Sequence, residues 1–149
     1  MYRARAQEGV NRLAAQVGLQ LSLHDRLINS RPALQAAEFA REQGHFNTMH
    51  HELFRAYWDE GRDVSHMSVL REVALRAGVD ATGMEAAVAA NRFGDYLDAR
   101  RAEAEELMIN GIPAHVIADR YLVMGAQPYE LFERVLAKVG VPKRGSDPA

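Results

Sequence analysis

The sequence predicts a mainly α-helical chain with one small β-hairpin late in its length. Three observations lead there. Apolar residues recur at helical spacing through most of the first 109 positions. Glycines and N-cap residues cut that pattern into short segments. Only the stretch from Ala114 to Met124 has strand composition: two apolar runs, Ala114 to Ala118 and Tyr121 to Met124, around an Asp119-Arg120 turn.

The elements follow in order. Tyr2 to Val17 reads as an amphipathic helix, with Val10, Leu13, Ala14 and Val17 on one face and Gly18 as its stop. Leu19, Leu21 and Leu23 then alternate with Gln20 and Ser22, which fits either a short strand or an extended connector. Ser30 is the expected N-cap of a helix that tolerates Pro32 in its first turn and runs to Gln43 before Gly44. Phe46, Met49, His50, Leu53, Phe54 and Tyr57 trace one helical stripe up to Gly61, and aromatics at that spacing are core. Ser65 is the expected cap of the next helix, with Val64 and Val69 spaced as a hydrophobic staple and Gly78 as the stop. Thr82 and Glu85 match a capping box for a short helix through Ala90. A further helix starts at Gly94 or Asp95 and passes Leu107. After the hairpin, Pro128 suits the first turn of a last helix, Tyr129 to Val139. Its early Glu130 and Glu133 and late Arg134 and Lys138 complement the helix dipole.

Composition narrows the function classes. A chain of 149 residues with nearly half its residues hydrophobic can build a proper core. A net charge of -2 with both signs interspersed gives no basic footprint, so nucleic acid is not an expected partner. No apolar run is long enough for a transmembrane helix, and the Arg-rich start lacks the apolar core of a secretory signal. No membrane association and a cytoplasmic location are therefore expected. The cysteine count is zero, which removes disulfides, thiolate metal sites and thiol nucleophiles from these residues.

The hairpin and its punctuation carry a resemblance. Gly111-Ile112-Pro113, a strand, a tight turn, a second strand and Gly125-Ala126-Gln127-Pro128 resemble the C-terminal half of DsbA-like thioredoxin-fold proteins, in particular the FrnE-type dithiol-disulfide isomerases. Asn29-Ser30-Arg31, Ala36-Ala37-Glu38-Phe39-Ala40, Leu53-Phe54-Arg55-Ala56-Tyr57 and Glu60-Gly61-Arg62-Asp63 occur in that family's order as well. The resemblance implies a partial DsbA-like thioredoxin fold: a helical insertion domain over residues 1–109 and a thioredoxin-like β-β-α portion over 110–140; past Gly140 the Pro, Lys, Arg, Gly, Ser and Asp of residues 141–149 read as a disordered tail. The resemblance also implies that Pro113 is a cis-proline and that Ile112, Pro113, Ala114 and His115 form a substrate-facing wall. Where the family usually has Thr-Phe after that proline, this chain has Ala114-His115. His115 is either a substrate-facing group or a residue of the strand's exposed face. The family's first β-α-β unit, with its Cys-x-x-Cys, has no counterpart here, and thiol-disulfide exchange needs an attacking thiolate.

Other constellations are weaker. His45, His50 and His51 lack the His-x-x-x-His spacing that puts two imidazoles on one helical face, so no metal and no cofactor is expected. Glu52, Asp59 and Glu60 read as a solvated helix face. The leading expectation is a DsbA-like oxidoreductase family member that is inactive in thiol exchange on its own. The alternatives are a homodimeric interaction module joined through the hairpin edge or its apolar face, and a glutathione-binding, non-redox isomerase-like protein. Peptide and glutathione are the ligands these readings imply.

Overall fold

The structure, a computed structural model, describes residues 2–16, 18–22 and 24–142, with side chains from residue 9 onward. It is mostly helical with a two-stranded antiparallel sheet. The chain divides into two compact units, Met1–Asp98 and Ala99–Ala149, with the division inside a helix.

The first unit holds α1 (Tyr2–Gln16), α2 (Arg31–Glu42), α3 (Phe46–Phe54), α4 (Met67–Arg76), α5 (Ala81–Ala89) and the start of α6 (Gly94–Glu106). Of the expected α1 stripe only Ala14 is buried, while Val10 and Leu13 remain exposed and Val17 lies outside the described residues. The core forms around α2, which packs on α3, α4 and α5. Its small face of Ala33, Ala36, Ala37 and Ala40 lets the backbones approach closely, and Met49, Leu70, Val73 and Met84 fill the centre with no exposed surface. Each such side chain contributes about 1.5–3 kcal/mol of burial.

The helix starts depart from the sequence reading in one consistent way. Ser30 makes no side-chain cap bond; instead the Arg31 N–H donates to Asn29 Oδ1 at 3.0 Å. Thr82 lies inside α5, and the cap is Asp80, whose Oδ1 accepts from the Thr82 N–H at 3.1 Å. The helix expected to start at Ser65 starts at Met67, and the Ser65 N–H and hydroxyl both donate to Asp63 Oδ1, at 2.9 and 2.5 Å.

The expected helix from Phe46 to Gly61 changes register part-way. From Arg55 to Asp59 it is a π-helix, with the Glu60 N–H reaching back five residues to the Arg55 carbonyl at 3.0 Å. The carbonyls this leaves at the end are taken by the preceding connector. The Ser22 N–H donates to Trp58 O, the Ser22 hydroxyl to Asp59 O at 3.0 Å, and His24 Nε2 lies 3.1 Å from Tyr57 O with its ring on Tyr57. Of the two readings of Leu19 to Leu23, the connector and not the strand is found over residues 19–22. Residues 19–22 are extended connector whose polar groups serve a helix end, and Leu23 lies outside the described residues. Gly61 closes the turn at φ +63°, where a Cβ would sit 3.3 Å from the Ser22 Cβ.

Two glutamates expected to be solvated are shared between arginines. Glu52 Oε2 lies 2.8 Å from Arg76 Nε, Glu52 Oε1 lies 3.4 Å from Arg55 Nη1, and Glu60 Oε1 lies 3.1 Å from Arg55 Nε and 3.2 Å from Arg76 Nη1. Asp63 is the most perturbed carboxylate. The Ser65 hydroxyl and then the Ser65 N–H hold it down to about 2 against partial desolvation, with Arg26 and His66 adding to the effect. Its folded value lies below the ordinary 3.8, so Asp63 stabilises the fold above the ordinary value, and that contribution is lost as pH falls from there through about 2. Asp63→Asn should abolish this component. Thermal midpoints of the wild type and the variant should differ at neutral pH and converge toward pH 2; a constant gap across that window would refute the assignment.

The second unit holds the remainder of α6, then β1 (Ala114–Ile117), β2 (Tyr121–Met124) and α7 (Tyr129–Lys138). Ala114 pairs with Met124, His115 with Val123, Val116 with Leu122 and Ile117 with Tyr121. β1 ends one residue earlier than its composition suggests. The tip consists of Ala118 and Asp119, both left-handed at φ 52° and 51°, and the Arg120 N–H closes the turn on Ile117 O at 3.2 Å. Pro128 sits just before α7 as its capping residue rather than within the first turn. Of the tail, residues 143–149 lie outside the described residues.

Candidate functional site

The bend that leads into β1 is built by Gly111, Ile112 and Pro113, and the Ile112–Pro113 peptide bond is cis. Pro113 has no N–H to donate, but its carbonyl accepts from the Gly125 N–H at 2.8 Å and so opens the hairpin ladder. Gly125 holds φ +76°, a conformation costly for any residue with a Cβ. Gln127 folds back beneath it and donates from Nε2 to the Met124 carbonyl at 2.8 Å. The Gly-Ala-Gln-Pro turn is thus an end-piece for the sheet as well as the entry to α7.

The four residues expected to form a wall lie in one stretch with different surroundings. Ile112 is 93% exposed, a large aliphatic side chain with almost no cover. Pro113 is exposed, Ala114 is half-buried, and His115 is exposed with its ring edge-on to Phe132, centroids 4.9 Å apart. Strand alternation sends Ala114 and His115 to opposite faces of the hairpin. His115 shares its face with Ile117, Tyr121 and the buried Val123, the side on which Phe132 of α7 packs. Ala114 shares the other face with Val116, Leu122 and Met124. Phe132 was missed as a neighbour because no local pattern links it to His115; only the i, i+3 spacing of Phe132 with the buried Val135 hinted that both turn toward the sheet.

Two grooves occur near these elements, one of about 510 Å³ lined by Tyr129, Glu133, Leu136 and Val141 among others, and one of about 680 Å³ lined by Arg101, Glu105, Met108 and Asn110 among others. Neither is lined by residues 112–115. Among the described residues no group of three or more His, Asp or Glu side chains is placed to hold a metal ion. His50 stacks on Phe46 at 5.5 Å and meets Phe54 at a tilt, centroids 4.6 Å apart. No described helix is long and apolar enough to cross a membrane.

The family model for the DSBA-like thioredoxin domain matches residues 4–137. The chain belongs to the DsbA-like thioredoxin domain family. Its structure is similar to that of a probable DsbA oxidoreductase from Streptomyces coelicolor, with a TM-score of 0.78 and 30% identity over 93% of this chain and 62% of that one. Its sequence is similar to YwbO, an uncharacterized protein of Bacillus subtilis, at 21% identity over 136 residues, which is 88% of this chain and 66% of the Bacillus protein. The chain thus spans just under two thirds of the length of these relatives.

Proposed function

We propose that the chain is the substrate-side portion of an FrnE-type DsbA-like dithiol-disulfide oxidoreductase. It presents Ile112 and Pro113, flanked by Ala114 and His115, to an extended peptide, without exchanging thiols itself. The observation that carries this reading is Ile112, an aliphatic side chain held out beside Pro113 at the mouth of a strand in a DsbA-like domain. Together with the exposed Pro113 it offers an apolar contact at the bend, and a peptide side chain is of matching character. The lack of cysteine supports the second half of the reading, because no other residue type supplies the thiolate that attacks a disulfide.

Binding of carboxymethylated insulin B chain to the wild type and to Ile112→Asp tests it. The variant should bind at least about tenfold more weakly, roughly 1.4 kcal/mol, with its thermal midpoint unchanged, since the substituted side chain has almost no protein contact. Insulin reduction by dithiothreitol should run at its uncatalysed rate in the presence of the chain. Catalysed reduction would overturn the reading, and calorimetric binding of glutathione without binding of peptide would replace it with the isomerase-like alternative.

A further inference from the structure

Of the residues Ile112 to His115, only His115 can carry a charge. Its backbone is paired with Val123 and its ring lies edge-on to Phe132, so the hairpin and α7 together fix where the imidazole sits. The residue is exposed, and among the described residues its ring has no hydrogen bond and no ion pair. Ile117 shares its face on β1, Tyr121 and Val123 meet that face from β2, and Phe132 meets it from α7; none of the four is a carboxylate. The charged residues on these elements and their turn are Asp119, Arg120, Glu130, Glu133, Arg134 and Lys138. None of them pairs with His115. Arg120 lies 5.9 Å from the Tyr121 ring centroid, and Glu133 and Arg134 line the groove along α7.

Histidine changes its charge between pH 5 and 8, and once protonated it donates from both ring nitrogens. A charged donor without an acceptor in the protein bonds to water or to a ligand. A carboxylate is the ligand group that gains most from it, because both partners of the hydrogen bond are then charged. Spacing relates this donor to the apolar contact at the bend. The Ile112 and His115 Cα atoms are at most about 10 Å apart along the chain. In an extended peptide, residues two apart project to the same side at a separation of about 6.6 Å, and the two side chains cover the difference. We propose that His115 is a specificity-determining residue. It selects, from extended peptides whose aliphatic side chain meets Ile112 and Pro113, those with a carboxylate two residues from that side chain, and it does so when the imidazole is protonated. This deepens the peptide-binding reading and rests on it.

The probes are two end-blocked peptides, Gly-Thr-Asp-Thr-Leu-Thr-Asp-Thr-Gly and its counterpart with Asn at both Asp positions. The threonines favour an extended backbone. A carboxylate on each side of the leucine serves either direction of binding. Titration of the 149-residue chain, followed by nuclear magnetic resonance, gives both affinities and reports on the His115 ring directly. At pH 5.5 the Asp peptide should bind about threefold more tightly than the Asn peptide, the size of an exposed ion pair, and at pH 8 the ratio should fall to about one. The His115 ring signals should move with the Asp peptide at pH 5.5. His115→Phe keeps a ring against Phe132 without nitrogens, and its ratio should be about one at both pH values. His115→Arg carries its charge throughout, and its ratio should stay at about threefold at both. Equal affinities in the wild type at pH 5.5 would overturn the proposal, and so would His115 ring signals that stay still while the Asp peptide binds; neither outcome depends on a variant. A pH-dependent ratio that survives in His115→Phe would overturn it as well. In each of these cases peptide still binds and the function reading stands. If neither these peptides nor carboxymethylated insulin B chain binds, that reading falls and takes the selectivity with it.

Discussion

Leu70→Ala should cost about 2–5 kcal/mol of stability, read as a shift of the urea midpoint followed by far-ultraviolet circular dichroism. Leu70 is fully buried on α4, within the cluster that includes Met49, Val73, Ala74 and Met84. Truncation removes the transfer free energy of the lost carbons and leaves a cavity inside the packed cluster. Domains of this size are stable by about 5–15 kcal/mol, so this one truncation consumes a large share. Leu75 supplies the control: it lies on the same helix at 62% exposure, and Leu75→Ala should stay within about 0.5 kcal/mol. Equal costs for the two variants would show that the packing of α4 has been misassigned.

Much of this core was legible because burial follows spacing. Met49 and Leu53 lie four apart and are both buried, as are Leu70, Val73 and Ala74 at i, i+3 and i+4. The polar punctuation is less legible, and the three departures share a cause. In each case a Ser or Thr is the expected cap, and an Asn or Asp nearby does the accepting: Asn29 for Arg31, Asp63 for Ser65, Asp80 for Thr82. The bond always spans two residues, because the short Asx side chain reaches the N–H two positions on as readily as a hydroxyl does. Where both residue types stand within two positions, the carboxylate or amide won all three times. The π-helix at Arg55–Asp59 had no legible signal at all. A five-residue step leaves the apolar stripe nearly intact, and its partners, Ser22 and His24, lie more than thirty residues earlier.

The site shows the same division between local and non-local information. Pro113, Gly125 and Gln127 were marked by residue type, since a chain that must bend, reverse and re-enter a helix uses Pro and Gly where φ is restricted or positive. What each faces was not marked. The edge-on contact of His115 with Phe132 and the bond from Gln127 to Met124 depend on how α7 returns to the hairpin. The second of these occupies an outward carbonyl of β2, and no pattern along the sequence marks it.

Gly83→Ala should destabilise the chain by about 1–3 kcal/mol, against the simple expectation from helix propensity. Gly83 lies in α5, where replacing glycine by alanine ordinarily gains about 1 kcal/mol. Here the new Cβ would sit 2.5 Å from Asp80 Oδ2 and 2.9 Å from Phe39 Cζ. The first clash drives Asp80 from the position in which it caps Thr82, and loss of such a cap costs about 0.5–2 kcal/mol. The second pushes on Phe39, which is 8% exposed and belongs to the core, and overpacking of this kind costs about 1–3 kcal/mol. The two penalties together exceed the propensity gain, so the sign is set by packing. Asp80→Ala provides the separation. In that background the first clash and the cap are both already gone, so Gly83→Ala should cost less there than in the wild type, and the double-mutant cycle should return a coupling of about 0.5–3 kcal/mol. A stabilised Gly83→Ala, or a cycle that closes to zero, would mean that Gly83 is present for a reason other than the space between Asp80 and Phe39.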